Sequence, residues 1–75
     1  MKILKATYGA GNVQRDVRSF VSAKISGSRC IVRADSSELG GDPIFGQVKT
    51  LYVKYSINGR IYEHSWREGE TAVIP

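Results

Sequence analysis

The stretch Val48–Trp66, VKTLYVKYSI-NG-RIYEHSW, decides the fold of this 75-residue chain. Asn58-Gly59 separates two alternating runs, and Asn-Gly is the dipeptide best suited to a type I′ turn, which needs positive φ at both central residues. A two-residue turn sets Ile57 against Arg60, and the pairing then counts back without freedom. Leu51 is expected opposite Trp66, Val53 opposite His64 and Tyr55 opposite Tyr62, all six facing inward. On the outward face Tyr52 is expected opposite Ser65 and Lys54 opposite Glu63, with Lys54 offsetting the Glu63 charge.

Before the hairpin, Ile3–Tyr8 reads as a first strand, with Leu4, Ala6 and Tyr8 on one side and Ile3, Lys5 and Thr7 on the other. Gly9-Ala10-Gly11-Asn12 reads as a turn, because the Gly-Lys-Ser/Thr ending and following helix of a phosphate loop are absent. Asp16–Ile25 is the helical candidate. Asp16 can accept from free N–H groups of the first turn, and Val17, Phe20 and Val21 make an apolar stripe. A helix this short is marginal in water and must be held by tertiary packing. Arg29–Ala34 reads as a strand with Cys30, Val32 and Ala34 on one side. Asp35–Gly46, DSSELGGDPIFG, reads as an Ω-like connection pinned by Leu39, Ile44 and Phe45. Thr71–Ile74 closes the chain as a short strand, and Pro75 suits a strand end at an edge. The two terminal strands are the expected edges. The whole predicts one all-β domain over residues 1–75: a small antiparallel β-sandwich or open barrel of about five to six strands, with one short helix near residues 16–24.

Composition narrows the chemistry. Hydrophobic residues make up 41% and charged residues 24%, an ordinary globular balance. A single cysteine excludes an intrachain disulfide. No apolar run approaches the roughly 20 residues of a membrane span, and MKILKATYG lacks the apolar stretch of a signal peptide, so a reducing cytoplasm is the default compartment. The net charge is +4, but the eleven basic residues are spread along the chain, whereas a polyanion site needs several on one face. One Cys with one His is too few for zinc. Cys30 reads as a small buried hydrophobe and not as a nucleophile. The carboxylates of the 35–46 loop do not follow the EF-hand order, and whether that loop takes an ion is left open. No cofactor is expected.

Several short patterns occur in a fixed order: I-x-x-A-x-Y-G at Ile3–Gly9, D-V at Asp16-Val17, L-G-G-D-P-x-x-G at Leu39–Gly46, K-x-L-x-V-x-Y-x-x-N-G at Lys49–Gly59 and E-G-E-x-x-x-I-P at Glu68–Pro75. Together they span nearly the whole chain. In this the sequence resembles the domain of unknown function at the C-terminus of the mitochondrial DnaJ-like subfamily C member 11 proteins, a module similar to others in small microbial proteins. The J domain and its HPD tripeptide are absent, so co-chaperone activity is not implied. The resemblance implies at most a scaffold or membrane-assembly role, or attachment to a catalytic partner, and brings no catalytic residue.

The matching residues make sense as determinants of the fold: Asp42, Pro43, Lys49, Leu51, Val53, Tyr55, Asn58, Gly59, Trp66 and Glu68. Counted through the register, Lys49 falls opposite Glu68 on the inward face. An ion pair there would close the core near Asp42-Pro43. Enzymatic chemistry needs positioned acid–base pairs or an activated nucleophile, and none is legible. The expectation is a non-catalytic interaction module for a protein or glycan partner. Tyr52 is its exposed aromatic anchor, and Thr50, Lys54 and Ser65 surround it. The first alternative is an assembly domain forming a homodimer through an edge or the Tyr52 face. The second is a weak electrostatic nucleic-acid binder.

Overall fold

A computed structural model describes residues 1–75. The chain folds as β1 (Lys2–Ala10), β2 (Val13–Asp16), α1 (Arg18–Ser22), β3 (Ile25–Ser26), β4 (Arg29–Arg33), β5 (Thr50–Ile57), β6 (Arg60–Arg67) and β7 (Thr71–Ile74). The strands form two open antiparallel sheets, one ordered β2-β1-β5-β6 and the other β3-β4-β7. The molecule is a small all-β domain with one short helix.

The central hairpin has the register counted from Asn58-Gly59, from Ile57 opposite Arg60 to Leu51 opposite Trp66. Asn58 (φ 52°) and Gly59 (φ 82°) supply the two left-handed residues that a type I′ turn demands. Leu51, Val53 and Tyr55 are buried. They meet Ile3, Ala6 and Tyr8 of β1 and, from the second sheet, Cys30, Val32, Ala72 and Ile74. Val17 and Val21 come from the α1 region, and Ala34 and Leu39 complete the core.

Several details differ from the sequence expectation. There are seven strands, because β1 runs on through Gly9-Ala10 and Val13–Asp16 folds back on it. A Cβ at Gly9 would lie 1.9 Å from the Val13 carbonyl oxygen, so only glycine lets β2 approach. Strict alternation fails in β1: the register shifts between Ile3 and Lys5, Leu4 is the extra residue of a bulge, and Ile3 therefore joins Ala6 and Tyr8 inside. α1 begins after Val17 without a side-chain cap at that residue, while the Asp16 carboxylate accepts from the Arg18 N–H one step upstream. Val17 and Val21 are buried, but Phe20 is exposed, its ring lying over Gly40 and not in the core. Leu39 pins the long loop, but Phe45 is 94% exposed. The carbonyls of Ile44 and Gln47 turn in towards the Lys49 ammonium, which leaves the intervening Phe45 pointing away.

β1 is an edge only over its first half, since β2 pairs with Thr7–Ala10 alone, and β6, the second strand of the hairpin, is the full-length edge on the far side. The chain leaves the larger sheet at Glu68, whose N–H donates to the Lys49 carbonyl. It joins the smaller one at once, since the Gly69 N–H donates to the Ala34 carbonyl and the Ala34 N–H to that of Glu70. The corner thus takes three residues; β7 has four residues against the eight of β6, and of the β6 side chains only Trp66, next to the corner, packs against the core.

Candidate functional site

That mismatch in length exposes a row of rings. Tyr62, His64 and Trp66 stand on the same side of the sheet as the buried Leu51, Val53 and Tyr55, as alternation requires. Only Trp66, nearest the corner, packs against the core, and it is half-buried. His64 is exposed and Tyr62 is 39% exposed. The inward burial expected for Tyr62 and His64 is therefore corrected, and that of Trp66 is only partial: the side is right, but cover ends at Trp66. Tyr55 stacks on Tyr62 with centroids 5.5 Å apart and on His64 at 6.4 Å, and His64 meets Trp66 at 5.8 Å. The row is a continuous aromatic strip along an edge strand.

The backbone of the same strand is also open. A two-residue type I′ hairpin makes its closing pair a hydrogen-bonded one, and bonded pairs then alternate. Arg60, Tyr62, His64 and Trp66 thus spend their N–H and C=O groups on β5, while those of Ile61, Glu63 and Ser65 point to the free side. The bond from the Glu68 N–H to the Lys49 carbonyl continues this alternation at the far end. Arg67 also points outward but is capped: its N–H donates to the Glu70 carboxylate and its carbonyl accepts from the Glu70 N–H. Ile61, Glu63 and Ser65 have no such partner.

Other edges are short or guarded, and β2 has only four residues. Where β2 leaves β1 uncovered, Lys2 and Lys5 flank the Leu4 bulge, and both lysines and bulges deter strand pairing. A shallow cleft of about 300 Å³ lies there, lined by Leu4, Lys5, Ala6, Thr7, Asp16 and Arg18. β3 has two residues, and β7 has four and runs into Pro75. β6 has eight residues and neither proline nor bulge.

The residues expected to bind a ligand lie on the opposite face of the larger sheet. Thr50, Tyr52 and Lys54 alternate along β5, and Ser65 faces Tyr52 from β6. Tyr52 is half-buried, and its hydroxyl donates to Glu63. That hydrogen bond holds the phenol above its ordinary pKa, with burial and the carboxylate's charge adding to it. The expected Lys54–Glu63 ion pair is absent, because Glu63 leans diagonally to Tyr52 instead.

Lys49 sits at the corner with 3% of its surface exposed. Its Nζ lies 3.1 Å from Asp42 and 3.3 Å from Glu68 and donates to the carbonyls of Ile44 and Gln47. Burial by itself pulls the ammonium down, but hydrogen bonds and charge from Asp42 and Glu68 outweigh it, and the net shift is upward. The arrangement ties the long loop, β5 and the corner to one cation.

The remaining polar groups are committed elsewhere. Asp35 accepts from the Ser37 N–H and hydroxyl, which hold its carboxyl below the usual range against a small cost of burial. Glu38 pairs with Lys24 at 3.4 Å. No three His, Cys, Asp or Glu side chains converge as metal ligands would. Cys30 is buried on β4, its thiol donating to the Val21 carbonyl, and burial pushes it up although Lys24 pulls the other way. His64 is on the other sheet. No helix is long and apolar enough to cross a membrane.

Fold and edge together define a small two-sheet β-domain with one long unguarded strand. No protein-family model, curated protein or solved structure matches this chain.

Proposed function

We propose that the chain is a non-catalytic interaction module whose docking element is β6, and that a protein partner adds an extended strand to its free side. The observation that carries this reading is the coincidence, on one strand, of outward backbone groups at Ile61, Glu63 and Ser65 with the open ring row of Tyr62, His64 and Trp66. In strand addition, main-chain hydrogen bonds give affinity and alternate side-chain contacts give selectivity. Burial of Cys30 and the ring neighbours of His64 favour binding over catalysis, since neither group has a base or nucleophile to work with. Aromatic rings in line also suit the flat faces of sugars, so a glycan is the second reading. The Tyr52 face with Thr50, Lys54 and Ser65 is a weaker candidate, because the Tyr52 hydroxyl is already engaged.

The test is selection of displayed peptides of about a dozen residues, enough to span a strand of usual length, against the wild-type chain. Selected peptides should lose binding to Ser65→Pro, which removes one outward N–H and leaves the β5 ladder intact. Equal binding to the two proteins, or amide shifts that map away from β6, would overturn the reading.

A further inference from the structure

We infer that a second copy of this chain is a partner for β6, paired antiparallel with the two-fold axis at His64. This rests on β6 being the docking element. Three two-fold registers bring two or more of the outward residues Ile61, Glu63 and Ser65 face to face, with the axis at Tyr62, Glu63 or His64. The axis at Tyr62, like that at His64, engages two of the three open residues, but it sets His64 against Arg60 and Trp66 against Asn58 in the turn, so that of the rings only Tyr62 meets another. The axis at Glu63 engages all three open residues but sets two glutamates directly opposite each other, which is unfavourable for like charges on paired strands. Backbone groups left at the rim keep water and lose little, whereas opposed carboxylates at the middle of the pair cannot avoid each other.

The axis at His64 removes that conflict. Glu63 of each copy then exchanges hydrogen bonds with Ser65 of the other. Tyr62 stands against Trp66, an aromatic pair of the kind that stabilises neighbouring strands. Arg60, at the start of β6, comes opposite Glu68, just past its end, whose carboxylate is already paired with Lys49, so no like charges oppose each other at the extremities. The pairing also matches exposure. The open Tyr62 end of one strand lies beside the half-buried Trp66 end of the other, where the corner and β7 begin. The result is one continuous eight-stranded sheet with six rings in a strip across its middle. Contact limited to one strand from each copy makes the pair a transient one.

Light scattering between roughly 1 µM and 1 mM should show a monomer–dimer equilibrium that Ser65→Pro abolishes. Cysteine pairs read the register. Residues opposite each other at a non-hydrogen-bonded position have Cα atoms about 4.5 Å apart, within disulfide reach. His64→Cys should therefore cross-link to itself on mild oxidation, on the order of tenfold more than Tyr62→Cys or Glu63→Cys alone. If His64→Cys folds poorly by circular dichroism, a mixture of Tyr62→Cys and Trp66→Cys, which should form the mixed dimer, serves instead. Cys30 is buried and stays in place. A monomer at every concentration overturns the inference, and if selected peptides still bind β6 the proposed function survives it. Self-linking of Tyr62→Cys or Glu63→Cys above that of His64→Cys overturns the register.

Discussion

Lys49 carries more of the structure than any other single polar residue. A lysine rarely lies inside a protein unless its charge is met, and here two carboxylates and two carbonyls meet it. Because its ammonium is raised in the folded chain, the stability it contributes is complete below the unfolded lysine pKa. That contribution is lost as pH rises through the folded value. Lys49→Met keeps the apolar stem but leaves Asp42 and Glu68 facing each other, both partly open to water. It should lower the melting temperature at pH 7 by roughly 5–10 °C. From pH about 10, near the free lysine value, upward through the folded value, the wild type should lose more stability than Lys49→Met does. Parallel melting curves across that range would show that the cage contributes nothing. The Lys49–Glu68 opposition was legible in the sequence because it continues the hairpin count. Asp42 as the second counter-ion was not, since its approach depends on how the 35–46 loop closes. Phe45 was misplaced for the same reason: apolar character identifies a candidate peg, but the carbonyls turned in to Lys49 decide which way the loop faces.

At the scale of the strand, alternation on β6 makes a sharp prediction about proline. Residue 65 points its N–H outward and residue 64 points its N–H at β5, so adjacent substitutions should differ widely. His64→Pro breaks a ladder bond and should cost about 3 kcal/mol or more. Ser65→Pro removes no internal bond and should cost about 1 kcal/mol or less, as proline is tolerated on the solvent side of an edge. Urea unfolding of the two variants at equal concentration measures the difference, and similar losses would mean that the free side of β6 is assigned to the wrong residues. The register was legible here because a two-residue turn leaves no slack. The position of β6 as an edge was not, since alternation tells which side a residue faces and never what lies across from it. A signal was present nonetheless: three residues after β6 comes a strand of only four, too short to cover eight. The β1–β2 hairpin was not legible because the two glycines of Gly9–Asn12 read as a flexible turn. Gly9 is in fact a strand residue that makes room for Val13.

At the scale of the molecule, the decisive fact is how few residues hold the two sheets together. The core is fourteen apolar side chains without a disulfide, in a body measuring 38 × 21 × 18 Å. A chain of this length has a total stability of about 4–11 kcal/mol. Leu51 is fully buried and lies across from Trp66, where the corner brings the second sheet close. Leu51→Ala should cost about 2–5 kcal/mol, a large part of the whole. Tyr62 is larger, stands on the same side of the same hairpin, and stacks on Tyr55. By size alone its truncation would cost more. Its exposure argues the reverse: Tyr62→Ala should cost about 1 kcal/mol, the worth of one aromatic pair with part of its ring still wet. The comparison must be made at low micromolar concentration or below, because a strand laid on β6 would shield the ring and raise the cost. Equal losses for the two variants in dilute solution would mean that the ring row is covered within the single chain, and a docking strand would then have no open face to meet. A Tyr62→Ala cost that grows with protein concentration, while that of Leu51→Ala stays fixed, would locate the added contact on β6.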